Sequence, residues 1–150
     1  SYQQNIIVDI YGDSLLTYDT SGKIVNRIWS YDTLAVHNTH CVSQDGQRIY
    51  YTRENAVVTM DMKGNKLNTF ESNDLKDASG ITVDKQGIIY CCGKESQTVI
   101  TVTPERRQLG VLLSRDHNLQ KPHGVCLNER NGTILVFEEN SNDVKLFKIM

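Results

Sequence analysis

Two histidines stand where imidazole groups could bind a metal ion. His40 lies in T-H-C-V-S and His123 in P-H-G-V-C, at the beginnings of two similar apolar runs. Neutral imidazole is a common zinc ligand, and catalytic zinc activates a water molecule as the nucleophile. However, Gly80 takes the place of His40 in the run between them, as Gly124 does in the run of His123, and no adjacent carboxylate supplies a general base. Metal chemistry is therefore only an alternative, and we expect no catalytic residue, no metal and no cofactor.

The four cysteines also bear on metal binding and on compartment. Cys41, Cys91, Cys92 and Cys126 include no C-x-x-C pair, the spacing used by zinc ribbons and redox sites. Each falls within an apolar run, which predicts small buried residues in a reducing compartment. The sequence shows no secretory signal and no apolar run that could span a membrane. We expect a cytoplasmic location and no membrane partner.

Composition limits the classes of partner. The 150 residues are 39% hydrophobic and 23% charged, which is typical of a globular domain, and the net charge is -2. The overall field therefore gives no reason to expect DNA or another polyanion. Arg106 and Arg107, with Lys63 and Lys66, form a local basic group that keeps RNA open as an alternative.

The chain repeats itself with a period of about forty residues. Thr17, Thr59 and Thr101 occupy the same place in S-L-L-T-Y-D, A-V-V-T-M-D and T-V-I-T-V-T, at equal intervals of 42 residues. Apolar, β-branched runs separated by glycine turns precede each of them, which predicts antiparallel strands. Units of about forty residues with four strands each indicate a β-propeller. A sandwich is the alternative, but it gives no reason for a fixed period.

The predicted fold class is therefore an all-β propeller of four-stranded antiparallel blades. The whole chain, 1–150, is read as part of one such domain, with complete blades at about 38–72 and 78–113 and partial blades at about 1–31 and 121–150. Propellers have typically about 4 to 8 blades. We therefore expect a partial propeller whose ring is completed by missing blades or by a second copy.

Two stretches, G-I-T-V-D-K-Q-G-I-I-Y and P-H-G-V-C-L-N-E-R-N-G-T-I-L-V, resemble the NHL repeat. The chain is similar to the C-terminal propeller of tripartite-motif proteins, although His40-Cys41 replaces the Gly-Ile pair in one unit. The resemblance implies a non-enzymatic platform for protein partners or, in some members, for RNA. Ubiquitin-ligase activity in such proteins belongs to a RING domain, whose cysteine pattern is absent from these residues. Related propellers include a zinc-dependent lyase and metal-dependent lactonases, which supply the enzymatic alternative.

The order of the strands predicts that the two ends of each blade carry different kinds of connection. Turns that follow first and third strands are short and marked by glycine, such as Gly64 and Gly87, which is hairpin chemistry. Segments that follow second and fourth strands are longer and more varied, and binding residues concentrate on such loops. Their charges are mixed, which favours a protein or peptide partner over RNA. The candidate binding residues on this face are His37, His40, Arg53, Asp74, Lys76, Lys94, Gln97, Arg115, His117, Lys121, His123 and Asn140.

Large aromatic residues are expected to pack between blades. Trp29 and Phe70 fall in predicted fourth strands, and Phe137 and Phe147 fall in the last unit. Buried aromatic rings contribute large apolar areas. We expect these four side chains to be structural.

Overall fold

The structure is a computed structural model that describes residues 6–10, 14–29, 39–103, 105 and 107–149, with the backbone alone for 6–10 and Trp29. Within these residues, antiparallel strands follow one another in four sheets, each a simple meander in chain order. The all-β, propeller-type fold class is confirmed. The division into complete and partial blades stays a prediction.

The strands fall at the positions of the apolar runs. The first sheet contains β1 (Ile6–Ile10), β2 (Ser14–Tyr18) and β3 (Ile24–Trp29); the second contains β4 (His40–Val42), β5 (Arg48–Arg53), β6 (Ala56–Asp61) and β7 (Lys66–Glu71); the third contains β8 (Ala78–Val83), β9 (Ile89–Gly93), β10 (Thr98–Val102) and β11 (Gln108–Leu113); the fourth contains β12 (Pro122–Asn128), β13 (Thr133–Glu138) and β14 (Val144–Lys148).

Short glycine turns close one end of the sheets, which we call the turn face (residues 19–23, 43–47, 61–65, 84–88 and 128–132). Asp61 shows how such a turn is built: its Oδ1 accepts hydrogen bonds from the backbone N–H groups of Lys63 and Asn65, both at 2.9 Å. Gly64 follows with a φ of 90°, which glycine adopts readily. Hydrogen bonds from the Asn65 side chain and backbone lower the pKa of Asp61. These turns fix the register of each hairpin.

Apolar side chains fill the space between successive sheets. Ile49 and Met60 pack between the first and second sheets, Ile100 between the second and third, and Ile134 and Val136 between the third and fourth. All five are at most 1% exposed. The middle strands of the second and third sheets are thus buried on both faces, as expected for sheets that stack face to face.

Hydroxyl groups link the inner ends of neighbouring sheets. Thr39 Oγ1 donates to the Ser79 carbonyl at 2.7 Å, and Ser79 Oγ donates to the Pro122 carbonyl at 2.9 Å. Thr52 Oγ1 also donates to the Ser79 carbonyl, at 2.8 Å. Buried carbonyl oxygens left without a donor would cost free energy, so these bonds stabilise the junctions between sheets.

The aromatic residues and the cysteines depart in part from expectation. Phe70 and Phe147 pack against the inter-sheet clusters. Phe137, in contrast, is 43% exposed, and Cys126 is exposed on the same outward side of the fourth sheet. The expectation of burial was therefore wrong for these two residues, because none of the sheets that the structure describes covers that side. The side chain of Trp29 lies outside the described part of the chain.

The thiols should differ sharply in reactivity. Burial raises the pKa of Cys41 and of Cys92 to about 12 and that of Cys91 well above its ordinary value, so all three stay protonated. Cys91 and Cys92 are also fully buried, whereas Cys41 is half-buried. We expect an aromatic disulfide reagent at about pH 8 to label Cys126 quickly, Cys41 more slowly, and Cys91 and Cys92 only after unfolding. Cys126→Ser should abolish the fast phase. Fast labelling of Cys91 or Cys92 in the native protein would contradict this burial.

One short 3-10 helix, Arg115–His117, interrupts a segment that was expected to be loop throughout. Ser114 caps it: its Oγ accepts from the Asp116 N–H, and its own N–H donates to His117 Nδ1 at 3.1 Å. Across the residues that the structure describes, no helix is long and apolar enough to cross a membrane.

Candidate functional site

Longer segments form the opposite end of the sheets, the loop face (residues 53–55, 72–77, 93–97, 114–121 and 139–143). Two of these segments are anchored by a leucine. Leu75 is 0% exposed and Leu119 is 1% exposed, and each enters an apolar cluster between two sheets. The polar neighbours of each leucine are thereby held at the surface in a defined position.

Segment 72–77 is bonded to the turn that joins β9 and β10. The carbonyls of Lys76 and Asp77 accept from the N–H groups of Glu95 and Lys94, both at 3.0 Å. Thr98 Oγ1 donates to the Asp74 carbonyl at 2.5 Å. The loop is therefore an extension of the third sheet.

Segment 114–121 is bonded in the same manner to the fourth sheet. Glu139 N–H donates to the Lys121 carbonyl and Gln120 N–H donates to Glu138 Oε1, both at 2.9 Å. Lys145 Nζ donates to Glu138 Oε1 at 2.8 Å and also to the Asn118 carbonyl. Glu138 thus connects segment 114–121 to β14, because it accepts hydrogen bonds from both Gln120 and Lys145.

An open polar hollow of about 540 Å³ lies on the loop face between the third and fourth sheets. Three carboxylates, two ammonium groups, three amides and one hydroxyl line it: Glu138, Glu139, Asp143, Lys121, Lys145, Gln97, Gln120, Asn140 and Ser141. Because the donors and acceptors lie side by side, the hollow can bind a ligand that carries both signs of charge and several amide groups.

Strained backbone also concentrates on the loop face. Glu54, Asp77, Gln97, Asn118 and Asn140 have φ values between 50° and 61°, in the left-handed region that side chains disfavour. Such residues cost about 1–3 kcal/mol each and are over-represented at binding sites. On the turn face, glycines take the positive φ angles instead.

Lys94 connects the loops electrostatically. Its Nζ lies 3.0 Å from Asp77 Oδ2 and 3.5 Å from Glu139 Oε2. The hydrogen bond to Asp77 raises the pKa of Lys94, so the ammonium group stays charged across the physiological range. Lys94 therefore bridges a loop of the third sheet to a turn of the fourth.

The structure brings together only some of the candidate residues. Gln97, Lys121 and Asn140 line the hollow itself, and Arg115 Nε donates to Gln97 Oε1 at 2.7 Å. His117 lies behind them, with its ring edge-on to Phe147 at a centroid distance of 6.3 Å.

The other candidates lie outside the hollow. Asp74 and Lys76 belong to the neighbouring junction, where Asp74 Oδ2 accepts from Gln108 Nε2 at 2.8 Å. Arg53 ends β5, and His123 is exposed at an irregularity of β12. His40 begins β4 opposite Tyr51. His37 lies outside the described residues.

Sequence reasoning missed Glu138 and Lys145. Both belong to strands, whereas the search for binding residues was confined to loops. Their opposite charges flank the E-N-S-N-D turn, and pairing of β13 with β14 brings the two side chains together. Opposite charges on either side of a hairpin turn are the signal that could have found them.

No group of three or more His, Cys, Asp or Glu side chains is placed to share a metal ion, among the residues that are described. His40 is half-buried in β4 and His123 is exposed in β12.

Acid should destabilise the structure around the hollow by protonating Glu138, whose side chain is only 6% exposed. Burial raises its pKa, but hydrogen bonds from Lys145 and Gln120 outweigh that effect and leave the pKa below the ordinary value. A lowered pKa stabilises the fold above the unfolded-state value of about 4.3, and that stabilisation is lost as pH falls through the folded-state value.

We therefore expect Glu138→Gln to lower the free energy of unfolding by about 1–2 kcal/mol at neutral pH and by progressively less below about pH 4.3. Glu139→Gln is the matched control: Glu139 is 40% exposed, and the change should stay within about 0.5 kcal/mol. Urea unfolding over a pH series measures both. If the difference in free energy of unfolding between wild type and Glu138→Gln stayed the same from neutral pH to acid, that result would contradict a lowered pKa for Glu138.

The chain resembles a known protein in sequence and several solved structures in fold. No family model matches the chain. Over 114 residues the chain is 28% identical to the human E3 ubiquitin-protein ligase TRIM56, and the match covers 69% of this chain and 14% of that protein. The chain thus spans about one seventh of the curated relative that it matches.

Solved structures resemble the chain along nearly its whole length. Virginiamycin B lyase from Staphylococcus aureus superposes with a TM-score of 0.62 at 17% identity, over 99% of this chain and 53% of that one. Hydrazine synthase from Kuenenia stuttgartiensis gives 0.72 at 13% identity, over 97% and 43%. At these identities the likeness shows the fold alone. The stacked antiparallel sheets of three and four strands, the similarity to a tripartite-motif ligase and the propeller-like neighbours together fit an NHL-type β-propeller.

Proposed function

We propose that the chain is a non-enzymatic binding module that recruits a protein or peptide partner through its loop face. The observation that carries the proposal is the hollow between the third and fourth sheets, which is held in shape by hydrogen bonds that Gln120 of the anchored segment 114–121 and Lys145 of β14 donate to Glu138. A surface that is ordered before binding loses little conformational entropy when the partner arrives. The similarity to a tripartite-motif ligase supports a role in substrate recruitment within a larger ubiquitin-ligase protein.

The charges of the hollow favour a polypeptide over RNA. Its lining carries three carboxylates and two ammonium groups, so phosphate groups would meet net negative charge. RNA-binding faces combine a basic surface with aromatic rings on which bases stack. A peptide with both charged and amide groups suits the mixture better. The free cysteines accord with the cytoplasm as the location.

We also propose that further blades pack on the fourth sheet and complete the ring. Phe137 and Val144 pair with each other on the outward side of the fourth sheet and are 43% and 48% exposed. Cys92 and Val99 form the equivalent pair in the third sheet and are fully buried by the fourth. A further blade, from elsewhere in a longer protein or from a second copy, would cover this side in the same way and complete the ring.

Selection of random dodecapeptides displayed on phage against the 150-residue chain tests the recruiting face. We expect selected peptides to lose about tenfold in affinity with Lys121→Ala or Asn140→Gly, because these changes remove side chains from the hollow. Asn140→Gly keeps the left-handed backbone that this position needs. Lys63→Ala, which removes an exposed lysine of the turn face, should leave affinity unchanged.

A pool of single-stranded RNA dodecamers, titrated at several salt concentrations, tests the alternative. Phosphate contacts would give a steep loss of affinity with salt. RNA binding that falls steeply with salt and disappears with Lys121→Ala, together with no selectable peptide, would replace the peptide by RNA as the partner.

A further inference from the structure

A second pocket lies on the turn face, the end of the sheets that the short glycine turns close. It measures about 310 Å³ and lies between the third and fourth sheets. Its walls are apolar: Ile88, Tyr90, Leu109, Leu112, Leu127 and Ile149. A volume of this size is at the lower limit of ligand pockets and accommodates one large side chain.

The outer strand beside the pocket lacks a side chain at one position. Gly110 pairs with Thr101, which lines the pocket, and a Cβ atom added to Gly110 would meet nothing within 4 Å. In the second sheet the equivalent pair is Asn68 with Thr59, so a side chain stands where the third sheet has none. Leu109, beside the gap, is 62% exposed, and its apolar surface is left open to solvent at the mouth.

Two carboxylates stand at the edge of this apolar pocket. Asp84 is fixed by the N–H groups of Gln86 and Ile88, at 2.9 and 2.8 Å. Glu129 Oε1 accepts from the Lys85 N–H at 3.0 Å, whereas its Oε2 lies 4.0 Å from Lys85 Nζ. The Lys85 side chain is 62% exposed, so this ion pair is loose. The mouth therefore carries net negative charge and can accept a further cation.

We propose that this pocket is a second binding site, which takes an aliphatic or aromatic side chain from a peptide segment whose next residue is lysine or arginine. The apolar side chain enters between the sheets, and the ammonium or guanidinium group pairs with Glu129 at the mouth. The negative mouth disfavours nucleic acid and anionic membrane surfaces. Since the pocket lies at the opposite end of the sheets from the hollow, both sites can be occupied together.

Short capped peptides test the site directly. The probe is acetyl-Ala-Ala-Phe-Lys-Ala-amide, and the matched controls replace Lys by Glu or Phe by Ala. In ¹H–¹⁵N NMR titrations of the 150-residue chain we expect the probe to bind with a dissociation constant of about 1 mM and to shift the amides of Gln86, Ile88 and Leu109. Both control peptides should bind at least about fivefold more weakly, because each lacks one half of the recognition.

Two variants and one control variant locate the binding. Leu109→Glu places a carboxylate at the apolar mouth and should weaken the probe about tenfold, whereas Leu67→Glu, at the equivalent position of the second sheet, should not. Both leucines are exposed, so the fold should tolerate either change. Glu129→Gln should remove the preference for Lys over Glu. Equal binding of the Lys and Glu peptides or an unaffected Leu109→Glu variant would overturn the proposal without bearing on the loop-face hollow. Shifts confined to the loop face would overturn it too, and would place the probe in the hollow instead.

Discussion

Gly80→Ala is expected to lower the free energy of unfolding by about 3 kcal/mol or more, a large effect for a single added methyl group. A Cβ atom at Gly80 would lie 2.7 Å from both the Cα of Gly124 and the carbonyl oxygen of His123, and 2.9 Å from the N of Val125. All three atoms are backbone atoms of β12, so no side chain can rotate away. The third and fourth sheets would have to separate where their inner strands touch.

Gly124→Ala is the matched control for this contact. Its added Cβ would meet the ring of Phe137 at 3.4 Å, an ordinary contact with a partly exposed side chain. We expect a cost below about 1 kcal/mol. Urea unfolding followed by tryptophan fluorescence and circular dichroism measures both variants. Equal stability of Gly80→Ala and wild type would contradict the close packing of β8 on β12.

Leu75→Ala and Leu119→Ala are each expected to cost about 2–5 kcal/mol, because each removes a fully buried side chain and leaves a cavity. These leucines belong to loops, so the variants should also release the loop face. In Leu75→Ala, hydrogen exchange at the Lys94 and Glu95 amides should accelerate, since these groups donate to segment 72–77.

Leu67→Ala supplies the control for the two anchors. Leu67 lies in an outer strand and is 46% exposed, so its truncation should change stability by no more than about 0.5 kcal/mol. A similarly small effect at Leu75 and Leu119, with unchanged exchange at Lys94, would show that the loops are held by their hydrogen bonds alone.

The strands and turns could be predicted from the sequence because their signals are local. Thr17, Thr59 and Thr101 mark the same strand of three sheets, and Asp61 with Gly64 specifies a tight turn. Gly80 and Gly124 were aligned at equivalent positions of their units. That the two glycines touch each other could not be predicted, because the distance between two sheets is set by side chains from the whole interface.

The candidate site was predicted less completely. Gln97, Lys121 and Asn140 were identified because they lie in long polar segments. Leu75 and Leu119 were missed as anchors, since a single leucine in a polar loop has no periodicity that assigns it to the core. The turn-face pocket could not be predicted, because its lining residues come from separate segments of the third and fourth sheets that only the packing of the two sheets brings together.

A ¹H–¹⁵N NMR titration of the 150-residue chain with the tightest selected dodecapeptide tests the central claim, that a polypeptide binds at the loop face. The account predicts amide shifts concentrated in residues 94–97, 118–121 and 138–145, which surround the hollow. It also predicts that Lys121→Ala reduces these shifts at equal peptide concentration while Lys63→Ala does not. Shifts confined to the glycine turns 61–65, 84–88 and 128–132 would contradict the claim.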